Sequence, residues 1–469
     1  MRHRSPAVVA LTFLVAAGLP SVSAASSPFS GAPIAVPGTW EAEDFDLGVQ
    51  DDAYHDNVPG NAGGPCRPND DVDTIVSSDL GGGCDVNNFE TGEWLAYTVQ
   101  VVGSGVYDIE LRASNMNWTP PPAFHVEVDG VNVTGSVVVP STGAWDVYAW
   151  VTKSGVFLSA GLHVLKIVSD QQYFNLNKIR VTAARLFSSG FESSTAVSPV
   201  AQSDCWATGC WQDLTGADST TGYAWPPAIW GGGGRLQLLA DAPVTAATIG
   251  NFMINQIQAV TGHNGTPTQT LYSEIKQQGG PSTQDPFMLL PTNEAGDLYI
   301  SYWLKFQPDL LQKMTPQNWR VFFEWKTAGD YRVSANVNSW EDGCNGVKPQ
   351  GPLFWDIRGD NNANGGLPLE EFWKVQNCSI AVPVGQWFKF EVFWHRSSGT
   401  DGRVWMAVNG NVIADRLGPN MGVNNAPIDR IMVNQLYSGS PYPIYQWVDD
   451  LRIWNNFPPP TDDPPYGPH

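Results

Sequence analysis

Alternation constrains this chain more than any other feature. Short runs in which polar and apolar residues take turns are each cut off by a turn signal. Residues 94–101, 106–113, 124–129 and 162–168 have this form, with Asp129-Gly130 a typical break. Residues 298–306, 319–327, 331–338, 387–395, 404–409 and 447–454 repeat it further on. A period of two places one face of a strand on a core. Helical periodicity is not sustained anywhere, and residues 308–314 allow a short helix at most. The 47 Gly and 36 Pro supply the breaks. The expected fold class is all-β: a β-sandwich of jelly-roll type followed by a larger β-jelly-roll domain.

The ends read differently. Residues 1–24 combine a basic start (Arg2, Arg4), an apolar run and small residues up to Ala24. That is the form of a secretory signal peptide, so an exported protein is expected. No later segment is long and apolar enough to be a membrane helix. Residues 36–184 form a first domain, 185–204 a linker, 205–457 a second domain, and 458–469 a Pro-rich tail expected to be disordered. A net charge of −21 argues against nucleic acid as a partner, because phosphate binding needs basic surface. A monomer is expected. Six Cys in an exported chain favour disulfides. Pairing between neighbours gives Cys66–Cys84, Cys205–Cys210 and Cys344–Cys378, although spacing alone leaves the connectivity open.

Four short segments narrow the first domain. They are Trp40-Glu41-Ala42-Glu43, Gly92-Glu93-Trp94-Leu95-Ala96-Tyr97, Thr142-Gly143-Ala144-Trp145 and Phe174-Asn175-Leu176-Asn177. In this order they resemble a family 6 carbohydrate-binding module. The resemblance implies a polysaccharide ligand, with Trp145 as a stacking platform and Asn175 as a hydrogen-bonding group. Sugar C–H faces fit flat aromatic surfaces. It also implies a structural Ca2+ near the first strand, with Glu41 and Glu43 offering hard oxygens. Departing from the family pattern, Cys66 precedes Arg67 where a second aromatic is expected, and Trp118 is the candidate replacement. A core position for Trp145 and solvated positions for Glu41 and Glu43 are the alternatives.

The second domain holds 15 of the 20 Trp. Strict alternation puts Arg320, Phe322, Glu324 and Lys326 on one strand face, opposite Trp319, Val321, Phe323 and Trp325. It puts Arg332, Ser334, Asn336 and Asn338 together, and sets Lys389, Glu391 and His395 beside Trp387 and Phe393. Faces that mix aromatics with both charge signs suit a sugar groove. The pattern, including Trp447-Val448-Asp449-Asp450-Leu451-Arg452-Ile453-Trp454, is similar to the concanavalin-type jelly roll of lectins, laminin-G-like domains and some polysaccharide lyases.

Two chemistries compete there. β-Elimination on a uronate needs a cation for the carboxylate, a base and an acid. Arg332 or Arg320, Lys326, and His395 or Tyr331 are the candidates. Hydrolysis needs two carboxylates, for which Glu274, Glu324 and Glu391 are available. Elimination is favoured by the basic residues of these faces. A non-catalytic, lectin-like groove is the third reading.

Overall fold

A computed structural model describes residues 26–102, 105–227, 232–292, 297–329, 331–361, 370–458 and 463. The expected signal peptide, 1–24, lies outside the described residues, as does the tail after 458 apart from Asp463. Strands dominate, and the one α-helix among the described residues is Leu310–Met314.

The first domain is a sandwich of two sheets. One runs Ile34–Val36, Trp94–Val101, Gly161–Gln171, Ala123–Val128, Val137–Val138. The other runs Ala149–Leu158, Gly105–Ser114, Asn175–Ala183, Cys84–Val86, Thr74–Val76. Leu95, Tyr97, Ile109, Leu111, Ile167 and Ile179 fill the space between them and are buried. Each lies at an alternate position of its strand, as the period of two requires.

The second domain is a larger antiparallel sandwich, compatible with the jelly-roll expectation. One sheet runs Met253–Thr261, Pro267–Ile275, Ile444–Trp454, Leu298–Phe306, Trp387–His395, Arg403–Val408, Asn411–Leu417. The other includes Asp285–Leu290, Ile428–Ser438, Trp319–Thr327, Arg332–Asn338, Phe354–Asp360 and Glu371–Asn377 in that order. The core between them is aromatic, with Trp325, Trp355, Trp394 and Tyr302 fully buried.

Three expectations need correction. The segment 185–204 is not a free linker. Its first part, Arg185–Ser189, is a strand paired with Ile444–Trp454, and Phe187 and Phe191 sit in the second domain's core. The tail is not wholly disordered: Asp463 is buried and receives Lys389 Nζ at 2.7 Å and Arg452 NH1 at 3.0 Å. Strict alternation fails in Trp319–Thr327, where the register shifts after Val321. That bulge moves an extra residue into the strand and switches its faces. Trp319 and Val321 face outward before it, and Glu324 and Lys326 after it. Phe322, Phe323 and Trp325 all enter the core.

Candidate functional site

In the first domain, two loops carry the sugar-facing candidates. The loop after Gly105–Ser114 holds Trp118, which is 39% exposed and meets Tyr173 edge-to-face at 5.0 Å. The loop before Ala149–Leu158 holds Trp145, which is half-buried and absent from the core. Hydrogen bonds stitch these loops together. Thr142 N–H donates to Asn115 O at 2.9 Å, and Asn115 N–H donates to Thr142 Oγ1 at 3.0 Å. The Trp145 carbonyl accepts from Ser114 Oγ at 2.7 Å and from Asn175 Nδ2 at 3.1 Å. Asn175 is only 6% exposed. Its amide nitrogen therefore positions Trp145 rather than standing open to a ligand.

Behind these loops lies a buried polar cluster. Tyr148 OH donates to Asp85, and Asn177 Nδ2 donates to Asp85 Oδ1 at 2.9 Å. Burial pushes the Asp85 carboxyl up, against the pull of these hydrogen bonds. The Cys66–Cys84 disulfide is formed and ties the Gly-rich loop to the adjacent strand. Arg67, next to Cys66, turns inward over the Phe45 ring at 3.7 Å and donates to Phe45 O at 2.6 Å. A covalent clamp thus stands where a second stacking wall was sought.

Glu41 and Glu43 converge on Gly83: a Cβ there would lie 3.2 Å from Glu43 Oε1 and 3.8 Å from Glu41 Oε2. Glu41 Oε1 is paired with Lys178 Nζ at 2.8 Å, and Glu43 Oε1 accepts Cys84 N–H at 2.8 Å. The second oxygen of each is buried with no hydrogen bond. Burial, with Glu41 adding repulsion, pushes the Glu43 carboxyl up to about 7. Two carboxylates converging beside Gly83, each keeping one buried oxygen with no hydrogen bond, fit a hard cation. The alternative of solvated carboxylates fails for Glu43, which is 8% exposed. Glu41 and Glu43 do not share a strand face, since Glu43 lies in the 3-10 turn Ala42–Asp44.

In the second domain the six catalytic candidates separate onto two sheets. Glu324, Lys326 and Arg332 line a cleft of about 440 Å³ on the outer face of the Trp319–Thr327 sheet. Trp319, Trp340 and Tyr437 border it, and Arg358 projects into it. Every charge there is matched. Lys326 Nζ lies 2.8 Å from Glu324, Arg332 Nε 2.7 Å from Asp360, and Arg358 NH2 2.6 Å from Asp356. Burial opposes the Arg332 charge, but Glu324 and Asp360 outweigh it and hold its pKa above the ordinary value.

The other three candidates lie elsewhere. His395 is on the opposite sheet, with Nδ1 2.7 Å from Asp297 Oδ1, facing a cavity between the two domains. The Asp297 hydrogen bond raises its pKa. Glu391 is fully buried on that same sheet and accepts from Tyr299 OH at 2.9 Å. Glu274 belongs to it too and accepts from Tyr272 OH at 3.1 Å. The alternates also fall away. Arg320 is fully buried on Gln307 Oε1 and Tyr445 O, and the Tyr331 hydroxyl is buried against Trp373 Nε1. Period-two reasoning finds polar faces but cannot tell which sheet they belong to. Tyr437, which that reasoning missed, sits in Ile428–Ser438 directly opposite Val321.

Residues 66–183 match the model of the carbohydrate binding module, family 6. The N-terminal sandwich is a family 6-like carbohydrate-binding module. The chain is 30% identical over 107 residues to the clotting factor G alpha subunit of Tachypleus tridentatus, across 23% of this chain and 16% of that protein. It therefore spans about 16% of the curated relative's length. Among solved structures it is similar to the module from Cellvibrio mixtus lichenase 5A in complex with cellotriose. That match has 28% identity and a TM-score of 0.24, over 31% of this chain and 95% of that one. It is likewise similar to the C-terminal module of LamC, a marine laminarinase from Zobellia galactanivorans. There the identity is 29% and the TM-score 0.22, over 24% and 88% of the two chains.

Proposed function

We propose that this is an exported polysaccharide-degrading protein whose N-terminal module captures the polymer while the second domain cleaves it by β-elimination. Tethering raises the local substrate concentration at the second domain. Export is supported by three disulfides, which persist in oxidising compartments. Ca2+ is assigned to Glu41 and Glu43, where it would replace mutual repulsion with attraction and brace the disulfide-linked loop. Chelation is expected to lower the Tm, and Glu43→Gln to remove that sensitivity.

The observation carrying the chemistry is the grouping of Arg332, Lys326 and Arg358 with Tyr437 in one cleft. The cations neutralise a uronate carboxylate and so acidify the C5 proton. Tyr437 moves that proton. Burial raises its pKa overall, and Arg332 only partly offsets that rise, so the reactive phenolate is favoured as pH rises. The phenolate takes the C5 proton, the C4–O bond breaks, a C4–C5 double bond forms, and the same phenol protonates the leaving oxygen. Hydrolysis fits less well, because Glu324 and Asp356 are each tied to cations rather than free to donate a proton. Incubation with polygalacturonate is expected to produce the ultraviolet absorbance of unsaturated ends, faster as pH rises. Tyr437→Phe should abolish it and His395→Ala should leave it intact. Loss in His395→Ala with retention in Tyr437→Phe would overturn the assignment.

A second reading is favoured by the charge matching itself. Cations already paired to buried carboxylates suit a rigid, non-catalytic glycan groove. It predicts retention on polygalacturonate with no new absorbance.

A further inference from the structure

The sheet opposite the cleft carries a row of side chains that the proposed reaction does not use. Gln256, Tyr272, Trp447, Lys305 and Trp387 come from five adjacent strands and are Cα partners in sequence across the sheet. Adjacent strands are about 4.8 Å apart, so the row runs for roughly 19 Å. The opposite faces of these strands fill the core through Leu271, Leu304, Phe388 and Val448. The row therefore faces outward, and Trp447, Lys305 and Trp387 are each half-exposed.

These rings are set in place. Trp447 Nε1 donates to Gln258 Oε1 at 3.0 Å, and Trp387 Nε1 donates to Thr261 O at 2.9 Å. Both indoles thus spend their polar atom on the protein and keep their apolar faces. The turn after Met253–Thr261 folds back over the sheet and forms a wall beside the row. There His263 stacks on Trp303 with centroids 3.9 Å apart, and Asp450 holds its Nε2 at 3.0 Å. Lys305 lies between the two indoles, 5.5 Å from Trp447 and 5.8 Å from Trp387. Among the described residues it has no carboxylate partner. Glu274, on the same face, lies one register step away and is occupied by the Tyr272 hydroxyl.

We propose that this row is a second polysaccharide-binding surface, taking a polyuronate chain laid across the strands. The Trp447 and Trp387 rings would stack on successive sugars and Lys305 would meet a carboxylate. Flat rings select pyranose faces, and the local Lys305 cation favours a sugar carboxylate at this row against the repulsion of the protein's net charge of −21. The row lies at the far end of Trp387–His395 from the cavity between the domains. Eight residues of strand separate the two, or about 27 Å. The choice of polyuronate rests on the elimination reading above.

The test uses the full chain carrying Trp145→Ala, in affinity gels with polygalacturonate or hydroxyethylcellulose. Adding Trp387→Ala with Trp447→Ala is expected to weaken the remaining retention on polygalacturonate about tenfold, from two lost stacking contacts. Lys305→Glu, which removes no packed ring, should weaken it on polygalacturonate and leave hydroxyethylcellulose unchanged. Unchanged retention on polygalacturonate in Lys305→Glu overturns the proposal, whether or not the tryptophan variants fold. Failure of the elimination reading is separable: polygalacturonate would then yield no ultraviolet-absorbing ends with the wild-type chain, while Lys305→Glu still weakened retention.

Discussion

Asn175 shows how a side chain's role follows from what its polar atoms already hold. The resemblance made it a ligand contact, but its amide nitrogen is committed to the Trp145 carbonyl. Its removal should therefore act through Trp145. Asn175→Ala is expected to weaken glycan retention about fivefold and to lower the Tm by only about 2–4 °C, since one lost hydrogen bond is worth about 1 kcal/mol. Trp145→Ala should abolish retention by the module. Asp285 makes a different residue-scale point. It is fully buried, hydrogen-bonded by Asn255 at 2.9 Å, and its pKa is pushed up to about 8 by burial. The folded state then holds a proton that the unfolded chain, titrating near 4, has released. Its stabilising contribution is full below about pH 4 and is lost as pH rises toward 8. The slope approaches 1.4 kcal/mol per pH unit at most. Asp285→Asn is expected to flatten that fall in denaturation midpoints between pH 5 and 8. An unchanged slope would exclude Asp285 as its source. Sequence alone gave no warning here, because Asp285, between the polar run Ser282-Thr283-Gln284 and Pro286, reads as a surface turn.

At the scale of elements, most strands were legible and one decisive feature was not. Arg332, Ser334, Asn336 and Asn338 share the cleft face that alternation assigns them. Trp319–Thr327 defeats the same rule because its bulge has no local signature: Val321-Phe322-Phe323 is apolar throughout. Without the switch, Arg320 would share the cleft with Glu324; instead it is in the interior. The Cys344–Cys378 bond, with a sequence separation of 34, anchors the segment following Trp340 to the end of Glu371–Asn377. Cys344→Ser with Cys378→Ser is expected to cost about 2–4 kcal/mol in denaturant unfolding. It should also loosen Trp340, which is 36% exposed at the cleft edge. Weaker glycan binding should accompany the stability loss. A stability loss with unchanged binding would remove Trp340 from the site.

At the scale of the whole molecule, the two sandwiches are joined more closely than a linker implies. Arg185–Ser189 leaves the module and at once becomes a strand of the second domain. Asn456 Nδ2 returns the contact to Tyr107 OH at 3.2 Å. Composition suggested a Ser/Ala/Val linker there, but pairing with a distant strand decides the outcome, and a local reading does not see that strand. The same limit explains the scattered catalytic candidates. Alternation groups Arg332, Ser334, Asn336 and Asn338 as the structure does, but Arg320, Lys389 and Glu391 are buried, and the other candidates belong to opposite sheets. What remains common to every reading is capture of a polysaccharide by the N-terminal module.

The most direct test of that claim is affinity electrophoresis of the full chain, with calcium, through gels containing neutral or uronic polysaccharides. The account predicts that at least one polymer retards the wild-type protein, and that Trp145→Ala with Trp118→Ala loses most of that retardation while keeping the native Tm. Equal retardation of wild type and this double variant on every polymer would contradict it.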